Sequence, residues 1–229
     1  MGAGARFEVP VARWCAWPPA PAEDVAAPDV RFVDASLRRR LGPLARMMLH
    51  VAGVCAQGMT GLRLVFASQH GELGYTVALL RALAAREPLS PTLFSLSVHN
   101  AAAGLLSTAR ADRGESTAVA AGEETLGYAL LEAHGQFIAD PHRPLLMVYG
   151  DAPLPDEYRR FGSPADASTP NGRALALLVS SEASRPTAVS TEPAEHAPSP
   201  EPQIQAFIRH LQHGGCTNWS SGTTAWSWH

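Results

Sequence analysis

No C-x-x-C pair occurs in this chain of 229 residues, and its three cysteines, Cys15, Cys55 and Cys216, are odd in number and far apart. A disulfide framework is thereby excluded, and the pattern fits a reducing compartment, so a cytoplasmic protein is expected. Excess positive charge is also missing. Eighteen Lys and Arg stand against 21 Asp and Glu, a formal net charge of −3, so no overall basic field collects phosphates, although Arg38, Arg39 and Arg40 form a short run; nucleic acid is not the expected partner. No segment approaches the roughly 20 apolar residues of a membrane span, and prolines and charges interrupt the first 21 residues where a secretory signal needs an apolar stretch. Membrane insertion is not expected. There is no internal repeat. What the chain does have is 46% hydrophobic residues against 17% charged, enough to bury a sizeable core.

Residues 6–17 mix β-branched, aromatic and alternating positions and run into Pro18-Pro19, which predicts a strand. Leu37, Leu41, Leu44, Met48, Ala52 and Cys55 recur at helical spacing, predicting one long amphipathic helix with Ser36 as N-cap and Gly58 beyond its end. A strand over 62–68 leads to a helix carrying Leu73, Val77, Leu80 and Ala84, which stops at Glu87-Pro88. Further helices are expected over 98–109 and from Gly122 to about Ala139, with strands at 116–119, 143–150 and 172–181. Alternating strands and helices, several strands being apolar throughout, predict an α/β fold: a mixed, mostly parallel five-stranded sheet covered by helices. Residues 1–181 are read as that domain. The Pro-, Ser- and Ala-rich stretch 182–203 reads as a linker, and 204–229 as a short helix (204–211) and a tail whose alternating Trp226 and Trp228 suit an edge strand.

Ser116-Thr117-Ala118-Val119-Ala120-Ala121-Gly122-Glu123-Glu124-Thr125-Leu126-Gly127 describes a strand turning sharply into a helix, a place where many α/β enzymes hold a nucleophile. It resembles the elbow of the β-ketoacyl synthases of the thiolase fold, S-T-A-C-A-S-G-T-x-A-I-G, with Val119 where that family carries its acyl-accepting cysteine. Pro91 to Leu106 is similar to the family's P-x-x-x-x-x-x-x-P-N-x-x-A-G-x-I, keeping Asn100 and Gly104 at the same spacing. Asp34 and Arg38 to Leu41 resemble its F-D-x-x-R region more weakly. The resemblance runs from about residue 6 to residue 181.

The resemblance implies a half-length thiolase-like fold without the cysteine and without the second half that supplies two catalytic histidines, hence a chain that is not an enzyme. Glu123 and Glu124, expected in the first turn of the helix after the elbow, would raise the pKa of a thiol there, contrary to the needs of an acyl-enzyme. Family members that lack the cysteine and pair with an active synthase are chain length factors; half-length ones resemble subunits of bacterial aryl polyene pigment clusters. The partners so implied are an active ketosynthase subunit, in a heterodimer or higher assembly, and, indirectly, an acyl carrier protein. Phe94, Leu96, Val98, His99, Asn100, Gly104, Val119 and Glu123 are the residues expected at the partner or acyl tunnel, with no catalytic residue, cofactor or metal. One stripe of the fourth helix, Leu126, Ala129, Leu130, Ala133 and Phe137, packs on its own sheet, and a second, Gly127, Leu131, His134 and Ile138, needs covering by a partner or by the returning C-terminal segment.

Two other function classes stay open on the residues alone. Ser68 and His70, or His99, follow a strand in a way that invites acyl hydrolysis or transfer, although near neighbours in sequence rarely reach nucleophile-base geometry. A structural homodimer of the half-fold is the other. His210, His213 and Cys216 could gather soft ligands, but such residues more often lie on a solvated face.

Overall fold

The computed structural model describes residues 4–19, 27–162, 171–184, 186–195 and 197–229. Its strands are β1 (Arg6–Val9), β2 (Val11–Trp17), β3 (Arg63–Ala67), β4 (Ser116–Val119), β5 (Leu145–Asp151), β6 (Arg173–Val179), β7 (Thr187–Pro193), β8 (Thr217–Ser220) and β9 (Thr224–Trp228). The helices are α1 (Ala35–Arg38), α2 (Pro43–Cys55), α3 (Leu73–Ala84), α4 (Pro91–Leu96), α5 (Ala101–Arg110), α6 (Thr125–Ala139) and α7 (Gln203–His213). None of these helices is long and apolar enough to cross a membrane.

Two sheets organise the chain: five strands in the order β2-β6-β5-β3-β4 and four in the order β1-β7-β9-β8. The larger sheet is the one expected, and the fold is α/β. It is evenly mixed rather than mostly parallel, because β3 pairs parallel with β4 and β5 while β6 runs antiparallel to both β5 and β2. The apolar runs were a sound sign of burial on both faces, but burial does not fix direction. Between β5 and β6 the described residues carry only a short 3-10 turn, Arg159–Phe161, and among them there is no crossover helix of the kind a parallel pair needs.

Alternation along the central strands divides the interior into two cores. Leu64, Phe66, Leu146, Val148, Ala174, Ala176 and Leu178 face α2 and α5. Val65, Ala67, Leu145, Met147, Leu175, Leu177 and Val179 face α6 and α7, as a period of two requires. Phe7, Val189, Trp219, Trp226 and Trp228 of the small sheet close the second core from the far side. The order is thus helix, sheet, helix, sheet, with α6 packed between two sheets.

The small sheet corrects several expectations. The strand read over 6–17 breaks at Pro10, which lacks a ladder donor, into β1 in the small sheet and β2 in the large one. Thr187–Pro193, inside the stretch expected as a linker, is β7; its Ser, Thr and Pro composition masked the alternation that buries Thr187 and Val189. β9 is an interior strand between β7 and β8, not an edge. The long helix expected from Ser36 is α1 and α2, because Gly42 is extended and Pro43 starts a new helix at its first turn; Asp34, not Ser36, caps α1, its carboxylate accepting from the Ser36 backbone N–H.

One buried charge holds the layers in register. Arg63 is 4% exposed, and its guanidinium donates to the carbonyls of Gln136 at 2.5 Å and Asp140 at 2.7 Å and to that of Arg143. The cation thus gathers carbonyls at and just beyond the end of α6 and sits at the negative pole of the helix dipole.

Candidate functional site

The carboxyl ends of the parallel strands β4, β3 and β5 lie side by side, the position where open α/β sheets present their ligand sites. β4 ends at Val119, which packs against the second core, and its carbonyl accepts from the Ser68 N–H at 3.2 Å. The elbow expected after β4 is present. Gly122 has φ +57°, and the Thr125 hydroxyl spans the turn, accepting from the Ala121 N–H at 2.9 Å and donating to the Gly122 carbonyl at 2.6 Å. Helix α6 opens at Thr125 rather than Gly122, so Glu124 is its N-cap position and Glu123 precedes it. The sequence placed both carboxylates in the first turn of the helix, and neither sits there. Glu123 is half-buried. Glu124 faces the small sheet, where its carboxylate accepts from the Trp226 indole N–H at 3.0 Å and the Ser221 hydroxyl at 2.7 Å.

Next to the elbow is a polar network that the sequence did not disclose. Asp151 Oδ1 accepts from the Ser68 hydroxyl at 2.8 Å and from the backbone N–H groups of Gln69 at 2.9 Å and His70 at 3.3 Å. Asp151 Oδ2 accepts from the Tyr149 hydroxyl at 2.5 Å. Burial pushes the Asp151 carboxyl above its ordinary range, and the hydrogen bonds from Tyr149 and Ser68 pull it partly back. Ser68 is buried, its proton is committed to Asp151, and its oxygen accepts from the Gly71 N–H at 2.8 Å. A nucleophilic serine needs its proton on a base such as histidine; here the hydroxyl braces a turn. His99 meets the carbonyl of Ser68, with Nε2 donating at 2.7 Å, so Ser68, His70 and His99 come together without forming a triad. A carboxylate directly after the apolar run of β5 was the available signal for Asp151.

The other expected site residues divide cleanly. Phe94, Val98, His99, Asn100 and Gly104 are exposed, Phe94 to 65%, whereas Leu96 turns inward and packs on the first core. The helix expected over 98–109 begins at Ala101, and α4 precedes it with Ser90 as a side-chain cap. Of the second stripe of α6, Gly127 is covered by Trp226, since a Cβ on it would lie 2.6 Å from the indole, and His134 donates from Nδ1 to the Glu8 carbonyl at 2.7 Å. Leu131 and Ile138 remain exposed, so the returning C-terminus covers part of the stripe only. His210 also turns inward, its Nδ1 donating to the Gly215 carbonyl at 2.9 Å. Among the described residues, no three His, Cys, Asp or Glu side chains converge as a metal site.

Glu72 adds a second half-hidden acid. It is buried, and desolvation pushes its carboxyl up to about 7 although the Ala45 N–H near the start of α2 hydrogen-bonds to it. A raised carboxyl pKa means that the folded state holds a proton the unfolded chain has released. This contribution to stability is therefore fully present below the unfolded value and lost as pH rises through about 7. Between pH 4 and pH 8 the loss is expected to reach about 3 kcal/mol. Urea titrations of the wild type and Glu72→Gln at both pH values test this: the difference between the two proteins should shift by that amount in favour of the variant at pH 8, and parallel pH profiles would refute it.

Residues 14–229 match the family described as the β-ketoacyl synthase, N-terminal domain, and the chain belongs to that family. Its fold matches a chain from the complex of the ketosynthase ApeO with its chain length factor ApeC from Xenorhabdus doucetiae, with TM-score 0.82 and 24% identity over 97% of this chain and 99% of that one. It also matches the ishigamide ketosynthase/chain length factor, with TM-score 0.54 and 17% identity over 77% of this chain and 56% of that one. A β-ketoacyl synthase from Burkholderia phymatum gives TM-score 0.55 and 11% identity over 82% and 56%. The chain spans little more than half the length of these last two. No curated protein sequence matches it.

Proposed function

We propose that this chain is a non-catalytic chain length factor, which pairs with an active β-ketoacyl synthase in the bacterial cytoplasm and bounds the tunnel in which a polyene or fatty-acid-like acyl chain grows. The observation that carries the reading is the elbow: the turn from β4 into α6 is intact, yet Val119, Ala120 and Ala121 stand there and none can form a thioester. The surface around it supports pairing. β4 is an edge strand of the large sheet, and its Ser116 and Ala118 are exposed, so its outer backbone groups can pair with another chain. Leu80, Leu83, Leu89, Phe94 and Val98, on α3, α4 and their connections, are also exposed, an apolar concentration that marks an interaction surface. Asn100, Gly104 and Thr108 form the outer face of α5, and the bare Gly104 lets a facing backbone approach closely. The complex of ApeO with ApeC pairs a ketosynthase with its chain length factor, and the same kind of partner is proposed here, with an acyl carrier protein delivering substrate to the synthase.

Co-expression with a candidate active ketosynthase tests the reading. The two should co-purify, and extension from a malonyl carrier protein should require both. Turnover of acyl substrates by the lone chain would overturn it, and a stable homodimer that ignores the synthase would favour self-pairing.

A further inference from the structure

The geometry assigns His99 a specificity-determining role: it reads a hydroxyl group on the acyl chain, and the network around Ser68 and Asp151 holds its ring in the orientation that does so. The inference rests on the pairing proposed above and on the expectation from the sequence that the residues at the turn between α4 and α5 reach the acyl tunnel.

The Ser68 carbonyl can only accept, so the 2.7 Å contact places a proton on Nε2 of His99. In the neutral imidazole this leaves Nδ1 as an acceptor, and among the described residues no hydrogen bond is made to it. The ring lies over the turn after β3, where a Cβ on Gly71 would come within 3.2 Å of its Cδ2 and where Gly71 has φ +57°. That turn is fixed in place by Asp151 Oδ1 and by the Ser68 hydroxyl, and the carbonyl that orients His99 belongs to it. A histidine on an exposed connection, whose ring would otherwise sample several rotamers, is thus held from behind.

Its surroundings give the acceptor meaning. Phe94 and Val98, near it in the chain, are exposed and apolar. An acyl chain that brings an O–H to this point pairs with Nδ1, whereas a plain hydrocarbon leaves the nitrogen desolvated and unpaired. Two positions on the substrate supply such a donor, a hydroxyl at the distal end of the chain and a 3-hydroxyl near the thioester.

Kinetics with the assembled complex separate these cases. The complex is supplied with carrier-bound ω-hydroxyacyl, 3-hydroxyacyl and unsubstituted acyl chains of equal length, and kcat/KM for the next extension is measured. One hydroxylated substrate should exceed the plain chain about tenfold or more, and which one does so locates the group. His99→Phe should remove the preference, His99→Gln should retain part of it, and Gly71→Ala, which pushes on the ring, should reduce it. A purely structural histidine would lower all three rates together. Equal rates for the three substrates in the wild type, or a preference that survives His99→Phe, would overturn the assignment. Failure of the wild-type chains to co-purify would instead strike the partner reading, and the assignment would fall with it.

Discussion

Trp226→Ala is expected to destabilise the whole chain by about 3–5 kcal/mol, the range for removing a large aromatic ring from a packed core. Trp226 is 2% exposed and meets three parts of α6 at once. Its ring lies on Gly127, its edge meets Tyr128 with ring centroids 5.6 Å apart, and its indole N–H donates to Glu124. The substitution therefore opens a cavity between α6 and the small sheet and leaves the Glu124 carboxylate short of a donor. Urea denaturation followed by circular dichroism measures the loss, with Trp14→Ala, at a side chain 37% exposed, expected to cost much less. A loss for Trp226→Ala below about 1 kcal/mol would show that the C-terminal hairpin is an appendage and that α6 is stable with one face uncovered.

That packing also explains which parts of the molecule could be read in the sequence. The central strands were legible because each is an unbroken apolar run, and the elbow because a strand, a glycine and a helical periodicity follow one another within twelve residues. Local pattern carries that information. The small sheet was hidden because its strands come from both ends of the chain: Arg6 pairs with Ser190, and Val189 with Trp228. No local periodicity records such pairings, and Ser, Thr and Pro in β7 weaken the alternation that remains. Gly127 illustrates the gap. It could be matched to a motif position, but its physical reason, an indole from a hundred residues away, could not be read. Phe94, Val98 and His99, which face outward, were singled out through the motif. Leu96 was placed with them, although α4 turns it into the core, because the short helix was not foreseen and with it the change of face.

The largest effect near the candidate site is expected at Asp151. Asp151→Ala removes the shared acceptor of the Ser68 and Tyr149 hydroxyls and of two backbone N–H groups. Ser68 and Tyr149 are both buried, so their donors cannot turn fully to water, and each orphaned group costs about 1–3 kcal/mol. A total loss of about 3–5 kcal/mol follows, with Asp151→Asn losing less because its amide oxygen still accepts, and Ser68→Ala less again because one buried partner leaves with its own hydrogen bond. The pH dependence has a definite sign. Burial raises the Asp151 carboxyl pKa, so the wild type loses stability as pH rises from the unfolded value through the folded one, and the deficit of Asp151→Ala should narrow as pH rises. The same substitution releases the turn after β3 that carries the Ser68 carbonyl and adjoins the elbow through the Ser68 N–H and the Val119 carbonyl. In the complex with a ketosynthase, Asp151→Asn should accordingly leave co-purification intact while blunting discrimination between hydroxylated and plain acyl chains. If Asp151→Ala unfolds at the same urea concentration as the wild type, the network contributes nothing to stability and the orientation of His99 needs another cause.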